Sequence, residues 1–255
     1  MPKGIYAAAS AMVVETRSLE VTARNLAHLQ TPGYRQETAL RSSFADELAR
    51  QGHTGGVDHD GGTGVLPNRS YFCFTPGTLE PTGATYDVAI SGNGFLRVRD
   101  NSGNLFLTRS GHFNTNAEGR LVTSEGWSVE GQGGPIVIPA DARRVTIGEE
   151  GRITIETGEG ANAAPQVLDQ LRLVTVPEPG RMRAENGVYF DPGDQIQGDT
   201  TSATLRQGHL EKANIDPIQE LAQMIALQRR YDAAQRALRE QSNVGGGLSE
   251  MLRGS

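Results

Sequence analysis

Cysteine is almost missing from this chain of 255 residues: Cys73 stands alone. That excludes an intrachain disulfide framework and a cysteine-built zinc site. Its setting, Tyr-Phe-Cys-Phe, predicts a small apolar side chain within a strand. Long hydrophobic runs are missing too, and without about 18 consecutive apolar residues no helix spans a bilayer. The opening residues, MPKGIYAAASAMVVETRS, have neither the apolar block nor the cleavage site of a secretory signal, so any exit from the cytoplasm is expected to use another route. Basic charge is not in excess: 24 Lys and Arg against 30 Asp and Glu leave a net charge of -6. Without a basic block or an Arg/Lys stripe interleaved with aromatics, nucleic acid is not expected as the main partner. The 36% of hydrophobic residues still suffices for one large or two modest cored domains.

Catalytic patterns are equally scarce. No GxSxG elbow occurs, and the adjacent Glu149 and Glu150 fall in an expected hairpin turn and not in a cleft. The glycine turns GNGF and GTGV lack a following Lys-Ser/Thr and a strand-to-helix switch, so they do not cradle phosphate. His53, Asp58, His59 and Asp60 imitate a metal set, but a glycine-rich stretch supplies neither preorganised geometry nor supporting hydrogen bonds. The expectation is therefore no catalytic, cofactor-binding or metal-binding residue, and no enzyme. Arg109 and Arg229 are expected to be structural, ion-paired or hydrogen-bonded at subunit contacts.

What the chain does contain is helical pattern at both ends. From Gly4 to about Gln30, Ile5, Met12, Leu19 and Leu26 recur every seven residues, with Ala9, Thr16 and Ala23 four positions after the first three: a heptad seam. Ala7, Ala8, Ala9 and Ala11 allow close approach of another helix, while Glu15, Arg17, Glu20 and Arg24 keep the far side wet. Thr31-Pro32 ends the pattern, because the residue before proline is pushed out of the helical region and Gly33 accepts the positive φ of a reversal. At the other end Asp216 is placed to cap a helix that has Pro217 in its first turn. Its stripe runs through Ile218, Leu221, Met224, Ile225, Leu227, Tyr231, Ala234 and Leu238 to about Gln241, where NVGGGLSEML predicts a break with at most a short turn at Leu248 to Leu252.

The middle has the period of strands. YDVAISGNGFLRVRD, NLFLTRSG, GRLVTSEGWSVEG, GPIVIP, RRVTIGEEGRITIE and DQLRLVTV alternate or are β-branched, and turns such as NSGN, NAEG and GEEG join them as hairpins and not as βαβ crossovers. The expected class is α+β: terminal helices forming a coiled-coil-like core layer around a mainly antiparallel, all-β middle. The divisions are an N-terminal core helix at 1–33, an extended arm at 34–80 with a flexible Gly/His-rich loop at 51–64, an all-β domain at 81–207, and a C-terminal core helix and tail at 208–255. The two apolar stripes satisfy each other within one subunit or satisfy neighbours in an assembly; period does not choose between these.

Three ordered stretches carry a resemblance. NLAHLQTPGYR, with Asn25, Leu26, Ala27, Thr31, Pro32, Gly33 and Tyr34, is similar to the signature of the flagellar hook and basal-body rod proteins. DVAISGNGFLRV, at Asp87, Val88, Ala89, Ile90, Gly92, Gly94 and Phe95, resembles the family's central block, and LTRSGHFNTNAEGRLVTSEGWSVEG follows in order. GHLEKANIDPIQELAQMIALQRRYDA resembles its C-terminal block at Gly208, Leu210, Glu211, Asn214, Glu220, Met224, Ile225, Gln228, Arg229 and Tyr231. Departures are His28 for a second Asn, Leu96 for a second Phe, Leu107 for an aromatic, and Lys212-Ala213 for a small residue and Ser.

The resemblance implies an axial subunit of the bacterial flagellar rod, spanning the periplasm within the basal body and exported by the flagellar type III apparatus without a cleaved signal. Its length and short arm look closest to the proximal-rod subunit; a distal-rod or hook-type axial subunit is the alternative. The implied partners are further copies of itself, other rod and axial subunits, and the hook and surrounding ring proteins, with no nucleic acid and no membrane insertion. The implied assembly contacts are Ile5, Met12, Leu19, Asn25, Leu26, Thr31, Pro32, Gly33, Tyr34, Leu221, Met224, Ile225, Gln228, Arg229 and Tyr231. Thr31 to Gly33 either set the geometry of the outward arm or merely terminate a helix. A reading of another class is a secreted β-domain binding module dimerised by a helical clasp.

Overall fold

The computed structural model describes residues 2–43, 65–157, 165–195, 197–199 and 203–253. The chain divides into two compact units: residues 1–27, 37–72 and 216–255 form one, and 28–36 with 73–215 the other.

The first unit holds two helices and a ribbon. Helix α1 spans Pro2–Ala27 and α2 spans Pro217–Arg253, while β1 (Glu37–Ser43) and β2 (Val65–Phe72) pair antiparallel with a bulge between Ala39 and Arg41. Asp216 caps α2 as its sequence predicts, accepting the N–H groups of Ile218 at 2.9 Å and Gln219 at 3.2 Å on Oδ1. The two helices pack on each other, and Asn25 near the end of α1 bonds Glu220 in the first turn of α2, so they run antiparallel.

The pairing face of α1 is not the predicted heptad seam. Val14, Glu15, Ser18, Val21, Thr22 and Asn25 are the buried positions, so Glu15 is not on a wet side as expected, and Met12, Leu19 and Leu26 stay half-buried roughly a third of a turn away. Small and β-branched residues let the helices approach closely, whereas the larger side chains occupy a second face. Ile5 falls in α1 where only the backbone is described. On α2 the α1-facing stripe is Glu220, Met224, Leu227, Tyr231, Ala234 and Leu238, alternating steps of three and four.

The expected break at Gly245 to Gly247 is corrected: α2 continues to Arg253. Glycine in a helix interior costs about 1 kcal/mol relative to alanine, but it leaves every backbone N–H in place. Good helix formers resume at Leu248, and no proline intervenes. The 51–64 stretch lies outside the described residues, and so does its role as a loop.

The second unit is antiparallel throughout its described strands. Its largest sheet has the order β14 (Arg183–Ala184), β15 (Tyr189–Asp191), β6 (Leu105–Thr108), β5 (Phe95–Arg99), β9 (Ser128–Val129), β8 (Leu121–Val122) and β7 (Asn114–Thr115), with β13 (Leu173–Thr175) also pairing β5 and β16 (Gln197–Asp199). A three-stranded sheet runs β10 (Ala142–Ile147), β11 (Arg152–Thr157) and β12 (Pro165–Gln170). Two further pairs join β17 (Thr204–Gln207) to β4 (Val88–Ser91) and β18 (His209–Glu211) to β3 (Leu79–Pro81). The expected GPIVIP strand is present only as isolated bridges at Pro135 and Val137.

Alternation puts Leu96, Val98, Phe113 and Tyr189 into one core with Ile153, Leu171 and Leu205. Phe95, Leu107 and Phe190 point to the other face of the large sheet, where the Phe74 ring lies edge-on to Phe95 at 5.7 Å and Phe190 at 5.0 Å. Cys73 is not inside a strand as expected: it follows the end of β2, is half-buried, and places Sγ 3.3 Å from Thr75 Oγ1. The Gln36 carbonyl takes its N–H at 2.9 Å, one position beyond the Glu37–Phe72 pair.

Candidate functional site

The turn after α1 begins a buried cluster within the second unit. Gly33 has φ of 71° and donates its N–H to the Glu211 carbonyl at 2.8 Å. A Cβ at this position meets the Ser110 nitrogen at 2.3 Å, so glycine is required by space as well as by φ. Tyr34 is 2% exposed and packs against Gly187. His28, the residue that departs from the family's asparagine, stacks on the Tyr34 ring at 4.6 Å and 8° while its Nδ1 meets Thr31 Oγ1 at 3.1 Å.

Arg35 comes next and is wholly buried. It donates to Glu211 Oε1 at 2.6 Å and to the Thr75 carbonyl at 2.8 Å. The other Glu211 oxygen accepts Arg109 Nε at 2.9 Å, and Gly77 N–H adds a third donor at 2.8 Å. Arg109 spends its remaining donors on the carbonyls of Gly92 and Gly94, both at 2.9 Å, and of Ile90 at 3.3 Å. Burial holds the Arg35 pKa below the usual guanidinium value; Glu211 opposes that shift and the neighbouring Arg109 adds to it. Asn214 closes the rim, its Oδ1 accepting Gln36 N–H at 2.7 Å and its Nδ2 donating to the carbonyls of Cys73 at 2.8 Å and Thr75 at 3.0 Å. Two cations on one buried carboxylate do not make a reaction centre. Apart from Arg35 Nε, which is buried without a hydrogen-bond partner, the groups named are engaged in fixing chain segments, which is chemistry of position.

Gly33→Ala is expected to cost about 1–3 kcal/mol for the backbone conformation alone, with the Ser110 clash in addition. Trp127 is the only tryptophan and lies in this unit, so its fluorescence during denaturation checks the result; an unchanged midpoint refutes it.

The first unit has its own polar anchor. The Asn25 side chain bonds both backbone groups of Glu37, Nδ2 to the carbonyl at 2.9 Å and Oδ1 from the N–H at 3.0 Å, and reaches Glu220 at 3.2 Å. Arg24 donates Nε and Nη2 to Glu37 Oε2 at 3.0 and 2.8 Å. Away from the helix–helix contact, α2 exposes Ile218 at 79%, Leu221 at 52% and Ile225 at 53%, and α1 exposes Val13 at 56%. Gln228 and Arg229 follow on the exposed side of α2. Isolated exposed apolar residues are ordinary; three on one helical face with this spacing form a patch.

The contacts expected from sequence therefore separate into groups. Asn25, Gly33 and Tyr34 are buried within their own units; Thr31, Pro32, Met224 and Tyr231 are half-buried, as are Met12, Leu19 and Leu26; and Leu221, Ile225, Gln228 and Arg229 face outward. Arg109 is ion-paired, but in the interior at 4% side-chain exposure and not on a surface. Among the described residues no group of three or more His, Cys, Asp or Glu is placed to hold a metal, and His53, Asp58, His59 and Asp60 lie outside them. Sequence reading missed the pairing of Arg35 with Glu211 and the role of Glu37. The available signal was an arginine directly following a motif tyrosine, with an acidic residue in a distant block.

Long paired terminal helices with an unpartnered apolar face, joined to an antiparallel β unit whose polar interior fixes chain segments, define a structural protein built for association. Residues 89–155 match the family model for the flagellar hook protein FlgE/F/G D1 domain, and residues 206–244 match the flagellar basal body rod FlgEFG protein C-terminal model. A flagellar basal-body rod protein FlgG of Agrobacterium fabrum is 27% identical, the alignment covering 98% of this chain and 100% of that protein. FlgF rod proteins of Caulobacter vibrioides and Escherichia coli are each 29% identical, over 99% of this chain and 98% and 99% of theirs. Two family models on the middle and C-terminal blocks, with rod proteins similar over nearly the whole chain, together support a structural flagellar rod protein.

Proposed function

We propose that this chain is the proximal-rod subunit, polymerising helically through its terminal helices so that the rod transmits torque from motor to hook. The observation that carries the reading is the outward apolar face of α2, Ile218, Leu221 and Ile225, which the α1 contact leaves uncovered. A heterologous contact between this face and a different face of the next copy propagates along a helix without closing. Ile5, Met12, Leu19 and Leu26 on the second face of α1 are the counterpart, with Gln228 and Arg229 at its edge. Asn25, Thr31, Pro32, Gly33 and Tyr34 act from inside by fixing the ends of α1 and the turn beyond it, while Met224 and Tyr231 hold α2 on α1. Such packing makes a coiled-coil-like layer of helices, each large side chain contributing about 1.5–3 kcal/mol when fully buried. The partners are copies of the chain, neighbouring rod subunits, the hook and ring proteins, reached by the flagellar type III export route.

Similarity to both FlgG and FlgF proteins leaves the distal position as the second reading. Gold labelling of an epitope-tagged, motile strain tests both on isolated basal bodies. Label on the motor-side part of the rod is the expected result, label on the hook-side part supports the distal position, and absence from the rod overturns the assignment.

A further inference from the structure

Strand β10 is an edge of the three-stranded sheet and has β11 as its strand partner. Edge strands present unpaired N–H and C=O groups that invite a strand from another chain. Here one N–H and one C=O of the edge are taken by a single side chain. Gln207 Oε1 accepts the Ile147 N–H at 3.0 Å, and its Nε2 donates to the Val145 carbonyl at 3.0 Å and to the Thr85 carbonyl at 2.8 Å. The amide thereby reproduces on β10 the bonds that a neighbouring strand makes. The opposite edge is blunted differently: β12 begins at Pro165, which has no N–H, and its register shifts opposite Ile153 and Thr154.

We infer that Gln207 is a side-chain plug that closes the β10 edge to a second copy of this chain, directing association away from sheet continuation. The occupant it excludes is β10 of another copy, running antiparallel. With Val145 opposite its equivalent, Arg144 faces Thr146 and Arg143 faces Ile147, so no arginine opposes another in that register and the order of side chains does not itself forbid the pairing.

Hydrogen exchange and sedimentation of the full chain test this, with Gln207→Met removing the amide at similar length and Gln207→Glu keeping only the acceptor. In the wild type the Ile147 amide is expected to be protected like those of β11. In Gln207→Met at low concentration it exchanges about tenfold faster, since a buried strand N–H has lost its partner, whereas in Gln207→Glu it stays protected and only the donations to the Val145 and Thr85 carbonyls are lost. At high concentration the variants gain a larger species beyond wild-type association, and protection returns across residues 142–147. A wild-type Ile147 amide that exchanges as fast as those of the Glu149–Glu150 turn overturns the inference even if both variants fail to fold. Folded variants with wild-type association at every concentration overturn it equally.

Discussion

Glu211→Gln is expected to destabilise the unit containing residues 28–36 and 73–215 by about 3–5 kcal/mol, the cost of breaking a buried ion pair from one side. Glutamine keeps the length and one acceptor oxygen but removes the charge. Arg35 and Arg109 then face each other across a neutral amide, and one of the two guanidinium groups meets N–H donors where it had an oxygen. The pair has no solvent to turn to, because Arg35 and Glu211 side chains are both 0% exposed. The intact cluster need not be a large net source of stability, since desolvating three charges offsets most of the attraction; the asymmetry appears when one member is removed. Equilibrium unfolding in guanidinium chloride, read by Trp127 fluorescence, gives the answer for this unit separately from the helical one. A midpoint within error of wild type means that the cluster is dispensable.

The other large effect falls on assembly and not on folding. Leu221→Asp with Ile225→Asp places two carboxylates on a face that is already half open to water, so thermal stability is expected to stay within about 0.5 kcal/mol of wild type. In the proposed assembly the same carboxylates would enter a packed helix interface, where an uncompensated charge is far costlier than the lost apolar contact. Complementation of a strain lacking the chain is expected to give no swimming halo and no complete rod, with the purified subunit melting normally. Leu227→Asp is the contrast, because Leu227 is 2% exposed on the α1-facing stripe and its loss disrupts the subunit itself. A normal halo for the double variant removes this face from the interface.

The terminal helices, the positive φ of Gly33 and the Asp216 cap were legible because each rests on local chemistry, whereas the helix stop expected at Thr31-Pro32 falls earlier: α1 ends at Ala27 and residues 28–30 form a turn. The pairing face of α1 was not legible, since Met12, Leu19 and Leu26 and the Val14, Ser18, Val21 and Asn25 set share the same period, and only tertiary contact selects one. The glycine run was over-read as a break because propensity is a weak local term that a continuing helix overrides. Strands of two or three residues, such as β14 and β3, carry too little alternation to be seen. The Arg35–Glu211 bond joins residues 176 apart, and a single sequence holds no local trace of such a pair; the motif residues were visible, but not that they meet.

That separation also orders events in time. Arg35 and Arg109 precede Glu211 in the chain, and Glu211 is followed by only the last part of its 255 residues. A chain that emerges N-terminus first therefore carries both cations unmatched by this carboxylate until residue 211 has emerged, and the segments they anchor wait for it. Closing contacts of such long range also makes the final step slow relative to local hairpins. The carboxylate is thus the last of the three charges to arrive: the segments held by Arg35 and Arg109 lock together only once residue 211 has joined them.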